Sequence, residues 1–488
     1  MLRTAYANVF KQSALSPVRR YASSSTVQTF SKPNIEMTTL ANGLRVVTDS
    51  TPGHFSALGM YVDAGSRYEN PRKPGLSHIF DRLAWKSTEN YTGIEMMENL
   101  AKVGGNYIAS AQRESMLYQA SVFNKDVDKM FDYMAQTVRV PKITDQEMYE
   151  TLQTVDFEVS NMYDKTDVYL PEILHAAAYK GNTLGLPLFC PQERLPSITR
   201  KEILQYHRHF YQPQNVIVAL VGVQHEQAVR LAMSHLGDWS ANTLSKPDMG
   251  KITYTGGEIC LPYQPPVTPN LPELYHMQIG FETTGLLNDD LYALATLQKL
   301  LGGGSSFSAG GPGKGMFSRL FTRVLNKYSF VENCMAFNHS YVDSGVFGVT
   351  ISCMPNYGNV MAQIICQELS DLLIVSPEKG GITQDELQRA KNQLSSSLLM
   401  NLESKLSSLE DLGRQIQAQN KLTTVEEMIA KIDALTIEDV RSVAARVLSG
   451  KVATKGNSSG LATVVMQGDR QAIGDVQQVL SYFDLGRK

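Results

Sequence analysis

Three residues with chemically useful side chains lie in one short predicted helix of this 488-residue chain. The stretch LSHIFDRLAWK, residues 76–86, carries His78, Asp81 and Arg82. An inverted zinc-hydrolase motif, H-x-x-E-H, would place two histidines on one helix face as ligands and a glutamate beside them to activate water. Here an aspartate replaces the glutamate and an arginine replaces the second histidine. Because arginine only donates hydrogen bonds and stays protonated, the sequence predicts that this helix holds no metal.

A glycine-rich stretch, GGGSSFSAGGPGKGMFSRL, occupies residues 302–320, with seven glycines between positions 302 and 315. Glycine in regular structure costs roughly 0.5–1 kcal/mol relative to alanine, so a loop of this composition needs a compensating use. A phosphate-binding loop would need a glycine at position 308 and a serine or threonine after Lys314, but the chain has Ser308 and Gly315 there. Nucleotide binding is therefore not predicted.

Two interpretations of the glycine-rich stretch remain. A solvated linker is the simpler one, but Phe307, Met316 and Phe317 place apolar side chains in and just after the loop, where such linkers avoid them. The other interpretation is an adaptable flap that contacts an extended ligand of variable sequence.

Composition limits the class of protein. The chain has 43% apolar and 19% charged residues, as ordinary soluble proteins do, and its length predicts two or more domains. No run of about 18 apolar residues is present, so we predict no membrane span. The five cysteines are scattered without a CxxC pair, which favours reduced thiols, mostly in the core. Nothing in the composition predicts binding to nucleic acid.

The N-terminus differs from the rest of the chain. Residues 1–35 contain no Asp or Glu, five Lys or Arg and many Ser and Thr, and Leu2, Tyr6, Val9 and Phe10 recur at helical spacing. This composition predicts a mitochondrial transit peptide, and RRYASSS at 19–25 is its predicted processing region. A disordered basic tail is the alternative. Loss of residues 1–20 would remove four positive charges and take the net charge from -3 to -7, which suits cationic partners.

The remaining sequence repeats itself. ITDQE at 143–147 corresponds to ITQDE at 382–386, and SITRKEILQYHRHF at 197–210 corresponds to ALTIEDVRSVAARV at 434–447. In the second pair, Thr and an acidic residue three positions later predict the same helix start in both copies. Strand-like runs alternate with amphipathic helices. We therefore predict an α+β fold of two duplicated domains, each a mostly antiparallel sheet with helices on one face, enclosing a cavity between them.

Domain boundaries follow from the prolines. Five of them fall between positions 262 and 272, where neither helix interior nor central strand can form. The predicted organisation is a transit peptide and flexible N-terminus at 1–35, a first domain at 36–258, a proline-rich linker at 259–273 and a second domain at 274–488.

Several segments resemble the pitrilysin-like zinc peptidases. HIFDRLAWKST is similar to that family's HFLEHLAFKGT type of segment with the catalytic residues altered, and AGSRYENP at 64–71 is similar to another of its segments. FEVSNMYDKTDVYLPEILHAAAYKGNTLGLPL resembles the region of the third zinc ligand, where Glu158 falls at the ligand position. With the duplicated halves and the glycine-rich loop, the resemblance covers nearly the whole mature chain.

The resemblance implies a noncatalytic subunit that recognises the substrate of a heterodimeric mitochondrial peptidase. That enzyme removes presequences, which are cationic amphipathic peptides, from proteins imported into the matrix. A beta subunit is the implied partner and carries the zinc, so this chain has no cofactor of its own. The alternative is a structural core subunit of the respiratory cytochrome bc complex, although such a subunit has little reason to keep the glycine-rich loop.

The resemblance also implies the site residues. The degenerate metal motif comprises His78, Asp81, Arg82 and Glu158, and Arg82 with Glu158 either forms a buried ion pair or meets solvent separately. The expected substrate-binding residues are those of the glycine-rich loop: Gly302, Gly303, Gly304, Ser305, Ser306, Phe307, Ser308, Ala309, Gly310, Gly311, Pro312, Gly313, Lys314 and Gly315. No catalytic residue is expected in this chain.

Overall fold

A computed structural model describes residues 35–240, 248–266, 268, 271–306, 315–454 and 456–486. The predicted transit peptide lies outside the described residues except for its last position, Ile35, which begins the first strand. Positions 307–314 of the glycine-rich loop also lie outside them.

The first half of the chain forms one six-stranded sheet and seven α-helices among its described residues. The strands are β1 (Ile35–Thr39), β2 (Arg45–Asp49), β3 (Phe55–Val62), β4 (Asn106–Ala111), β5 (Met116–Phe123) and β6 (Val216–Val221). The helices are α1 (Leu76–Arg82), α2 (Gly93–Val103), α3 (Val127–Arg139), α4 (Asp145–Met162), α5 (Thr166–Tyr179), α6 (Arg200–Phe210) and α7 (His225–Leu236).

Among its described residues, the second half forms another six-stranded sheet and a two-stranded one. Its strands are β7 (Thr253–Tyr254), β8 (Gly257–Leu261), β9 (Tyr275–Thr284), β10 (Gly303–Ser305), β11 (Val331–Ser340), β12 (Ser344–Cys353), β13 (Asn457–Ser458) and β14 (Thr463–Gln467). Its helices are α8 (Leu291–Leu301), α9 (Met361–Asp371), α10 (Gln384–Leu402), α11 (Lys405–Gln419), α12 (Val425–Asp433), α13 (Ile437–Leu448), α14 (Arg470–Ile473) and α15 (Val476–Tyr482).

The two large sheets repeat one topology. Their strand orders are β1-β2-β6-β3-β5-β4 and β10-β11-β12-β9-β14-β8. In both, a long central strand (β3 or β9) pairs antiparallel with the second strand of a hairpin (β4–β5 or β11–β12) on one side. On the other side it pairs antiparallel with a strand (β6 or β14) that is itself parallel to an earlier one (β2 or β8). The predicted α+β duplication is confirmed.

Matching helix starts support the same conclusion. Thr199 with Glu202 and Thr436 with Asp439 form reciprocal capping boxes at the N-termini of α6 and α13, as the sequence repeat predicts. The predicted linker is too long at its N-terminal end, since residues 259–261 belong to β8, which pairs with β14 in the second sheet. A strand can end directly before a proline, so the proline cluster that begins at Pro262 did not indicate that the residues before it form a strand.

Each half also lends one helix to the other. Helix α11 places Leu409, Leu412 and Ile416 on the face of the first sheet that the first half leaves uncovered, and Tyr61 donates a hydrogen bond to the carbonyl of Leu409 at 2.9 Å. Helix α5 packs in the same way on the second sheet, with Leu174 among its buried residues. The hydrophobic periodicity of a helix shows its apolar side but not which sheet receives it, so this exchange goes beyond the prediction. The two halves are joined by a shared core.

Candidate functional site

The helix with the altered metal motif, α1, is shorter than predicted. It ends at Arg82, and Trp85 adopts a left-handed backbone with φ of 62°, which no helix contains. Its N-terminus is fixed by Glu69, whose carboxylate accepts the backbone N–H groups of Gly75 at 2.5 Å and Ser77 at 2.6 Å. A carboxylate at this end satisfies donors that have no partner within the helix.

Arg82 bridges two carboxylates across the site. Its Nε donates to both carboxylate oxygens of Glu158, on α4, at 3.0 and 2.8 Å, and its Nη1 donates to Asp81 Oδ2 at 2.9 Å. The side chains of Arg82 and Glu158 are each 34% exposed. The ion pair considered from the sequence is therefore present, but it is half-buried rather than buried.

His78 is held by hydrogen bonding in the tautomer that does not suit a metal ligand. Its side chain is 3% exposed, and its Nδ1 accepts the backbone N–H of Cys190 at 3.1 Å. A neutral imidazole that accepts at Nδ1 carries its proton on Nε2, which lies 3.4 Å from Glu158 Oε2. Burial, reinforced by the positive charge of Arg82, lowers the pKa of His78 to about 4. The ring is thus neutral and presents an N–H group to the site.

Asp81 faces the same space from a buried position. Its Oδ2 accepts the backbone N–H of Ala111 at 3.1 Å as well as the Arg82 guanidinium. Burial raises the pKa of Asp81, while the charge of Arg82 opposes this effect.

The structure brings together all four residues of the predicted motif, but they do not fit zinc. The space between the carboxylates is filled by a guanidinium, and the imidazole nitrogen that faces Glu158 is a donor. Within the described ranges, no group of three or more His, Cys, Asp or Glu residues is arranged to hold a metal ion.

The first arm of the glycine-rich loop is a strand. Gly303, Gly304 and Ser305 form β10, which pairs antiparallel with β11 at the edge of the second sheet. Gly303 has φ of 93°, and a Cβ there would lie 2.0 Å from the carbonyl oxygen of Cys334. Glycine is required at this position both by the backbone conformation and by the close approach of β11.

The two arms of the loop meet at Ser318. Its Oγ accepts the N–H of Gly303 at 3.0 Å and donates to the carbonyl of Gly315 at 2.6 Å. The next residue, Arg319, is buried and forms two hydrogen bonds to Glu386 at 3.0 and 2.8 Å, at the start of α10. Sequence reasoning did not identify Ser318 or Arg319 as functional residues. The only signal was ITQDE, whose glutamate caps α10 and receives the arginine.

Apolar side chains are exposed next to the Ser318 clamp, which is the pair of hydrogen bonds that link Ser318 with Gly303 and Gly315. Phe317 is 72% exposed and Met316 is 37% exposed. They border a cavity of about 310 Å³ between α8 and α10, which Leu300 and Ala390 also line. Two of the three apolar residues that argued against a solvated linker, Met316 and Phe317, are thus exposed where the chain leaves the loop, and Phe307 lies outside the described residues.

The predicted cavity between the halves is present, with a volume of about 550 Å³. Glu114 and His175 of the first half and Tyr341 of the second line it. The lining residue Glu114 contacts Arg67, which pairs with Asp343 across the two halves at 2.8 and 2.6 Å. The halves are therefore joined by an ion-pair network as well as by the exchanged helices.

None of the helices in the described residues is long and apolar enough to cross a membrane.

The duplicated fold and the altered H-x-x-E-H helix define a protein of the pitrilysin type. Comparison with known proteins agrees: residues 45–192 match the insulinase family of peptidases (M16), and residues 197–394 match the M16 inactive domain.

Individual relatives narrow the group. The chain is 44% identical to the mitochondrial-processing peptidase subunit alpha of Neurospora crassa, with 92% of this chain and 88% of the relative covered. It is 45% identical to the probable alpha subunit of Schizosaccharomyces pombe over 90% of this chain and 86% of the relative, and 36% identical to that of Homo sapiens over 90% and 85%. The chain belongs to peptidase family M16, and within it to the mitochondrial-processing peptidase alpha subunits.

Proposed function

We propose that this chain is the noncatalytic, substrate-recognition subunit of a heterodimeric mitochondrial processing peptidase. The relatives' shared name supports a mitochondrial location and a role in presequence processing. The proposed partner is a beta subunit that carries the zinc. The proposed substrates are the cationic amphipathic presequences of imported proteins, and the proposed compartment is the matrix.

The observation that carries this proposal is the guanidinium of Arg82 between Glu158 and Asp81. It occupies the position at which an active peptidase of this type would need a ligand for its metal ion. Arginine cannot provide that ligand, and its positive charge would repel a cation. In this proposal, cleavage depends on a metal site on another chain, and the role of this chain is to recognise the substrate.

The glycine-rich loop supports the recognition role. Its base is built from the short strand β10 and the Ser318 clamp, and Phe317 is exposed beside it. Presequences share a basic amphipathic character rather than a fixed sequence, so contacts from backbone groups and a few apolar side chains would suit them. The relatives do not favour the respiratory-complex alternative.

The first test is purification from matrix extract through a tag on this chain, followed by zinc analysis of the assembly and of each separated subunit. One zinc ion per heterodimer should remain with the partner, and the isolated chain should neither retain zinc nor cleave a presequence peptide. Chelator-sensitive cleavage by the isolated chain would contradict the proposal.

The second test removes the loop without removing its base. Because residues 303–305 form β10, the deletion is confined to residues 307–313. We expect a rise in KM for a presequence peptide and a drop of about tenfold or more in kcat/KM, with unchanged co-purification of the partner. A length-matched Gly-Ser replacement separates contacts made by the backbone from those made by Phe307. Normal processing by the deletion variant would remove the loop from the mechanism.

A further inference from the structure

The outer side of α4 carries charge of one sign. This helix has five acidic residues and no Lys, Arg or His. Two of the five are used inside the protein: Glu147 caps the helix and accepts hydrogen bonds from Ser87, and Glu158 pairs with Arg82. The other three, Asp145, Glu150 and Asp156, lie at exposed positions.

These three carboxylates are poorly compensated. Glu150 accepts a hydrogen bond from Gln146 at 2.7 Å and Asp156 accepts one from Gln192 at 2.9 Å, both from neutral amides. No ion pair reaches either carboxylate from the part of the chain that the structure describes. Asp145 is 3.9 Å from Arg200, but its side chain is 94% exposed, so solvent screens most of that interaction.

Two aromatic side chains project from the same side of the helix. Tyr149 is 63% exposed and Phe157 is 71% exposed, whereas Met148, Val155 and Val159 on the opposite side are buried. Tyr149 and Phe157 are eight residues apart, which separates them by about 12 Å along the axis, with Gln153 between them. Asp156 lies on one flank of this stripe and Glu150 on the other, as the helical period requires.

We propose that the outer face of α4, defined by Tyr149, Glu150, Asp156 and Phe157, is a docking surface for the presequence in helical form. A basic amphipathic helix would lay its apolar stripe on the two rings and direct its Lys and Arg side chains to the flanking carboxylates. Such a ligand complements both the apolar area and the negative charge of this face. The inference rests on the proposed function and adds a second contact region, away from the glycine-rich loop.

Charge selects this occupant over a neutral partner. A protein surface without basic residues would leave Glu150 and Asp156 in contact with a dry interface and no counter-charge, which is unfavourable. A basic helix supplies that counter-charge, and its attraction would weaken as salt screens it.

The test uses the heterodimer of the mature chain with its zinc-bearing partner, treated with a chelator so that the peptide is not cut. The probe is a fluorescently labelled peptide of residues 1–20, MLRTAYANVFKQSALSPVRR, which contains four basic and no acidic residues. Fluorescence anisotropy gives Kd at low and high salt. The variants are Tyr149→Ala with Phe157→Ala, and Glu150→Gln with Asp156→Asn. Tyr482→Ala is the matched control, since Tyr482 is 81% exposed on α15.

We expect the double alanine variant to weaken binding about tenfold, because exposed aromatic anchors commonly dominate such contacts. The amide variant should lower the dependence of Kd on salt, and Tyr482→Ala should change neither quantity. Unchanged Kd in the double alanine variant, with its thermal unfolding also unchanged, would overturn the inference. Loss of the partner subunit would overturn it too, by showing that this face is the subunit interface. The deletion of residues 307–313 tests the proposed function separately.

Discussion

Restoring the residue types of the metal motif should not restore a metal site. The double substitution Asp81→Glu with Arg82→His would recreate H-x-x-E-H, and Glu158 already faces that position. However, His78 Nδ1 accepts the N–H of Cys190, so its proton stays on Nε2, where the metal would have to bind. Metal-bound histidines instead donate their second N–H to an oxygen, and loss of that support costs about 10- to 100-fold in metal affinity.

The strength of zinc binding can be measured by its effect on the free energy of unfolding. For a site in which both histidines have their normal hydrogen-bond support, zinc at about 1,000 times the Kd of that site would raise the free energy of unfolding by about 4 kcal/mol. If the binding is about 100-fold weaker, the same zinc concentration would raise it by only about 1.4 kcal/mol. Without zinc, the variant should be less stable than the wild type by about 1 kcal/mol. The half-exposed Arg82 bridge is screened by solvent, so its removal costs no more than a surface pair does.

The assay is urea unfolding of the isolated chain with and without zinc, combined with metal analysis after dialysis and a cleavage test on a presequence peptide. His78→Ala added to the double substitution reports nonspecific zinc binding. We expect less than one tightly held zinc per chain and no cleavage. A stabilisation of about 4 kcal/mol with one retained zinc, absent from the His78→Ala background, would refute the reasoning from the histidine tautomer.

Two other predictions concern stability. Gly413→Ala should destabilise the protein by about 1–3 kcal/mol in thermal or urea unfolding, because its Cβ would lie 2.2 Å from the buried ring of Tyr61. The control is Gln419→Ala, at an exposed position on the same helix, and it should leave the free energy of unfolding unchanged. Equal effects of the two substitutions would contradict the shared core. The free energy of unfolding should fall as pH drops from about 6.5 to 4, because burial lowers the pKa of His207 and of His276 to about 4. The unfolded chain binds protons before the folded one does, and each of the two residues lowers the free energy of unfolding by about 3 kcal/mol by pH 4. His207→Gln should remove the share of this pH dependence that His207 contributes, and an unchanged pH profile in that variant would contradict the assignment.

The fold was largely predictable because its signals are local. Proline clusters, helix caps and alternating strands are written in adjacent residues, and Thr199 and Thr436 cap their helices as expected. The alteration of the metal motif was equally local, since it is visible in the residue types at positions 81 and 82. What could not be predicted depends on distant neighbours. The tautomer of His78 is set by the backbone at Cys190, 112 residues away, and the packing of α11 depends on a sheet from the other half.

The duplication also shows where the edge of the second sheet departs from that of the first. The hairpin β4–β5 in the first sheet corresponds to β11–β12 in the second. The outer edge of β4 pairs with no other described strand, whereas the equivalent edge of β11 is covered by β10, the first arm of the loop. Because Gly303 lets that arm approach β11 closely, the base of the loop is held by main-chain hydrogen bonds that depend on few side chains. Ser318 also ties this arm to Gly315, so both ends of the loop are fixed, which fits the contact with presequences of varied sequence that is proposed above.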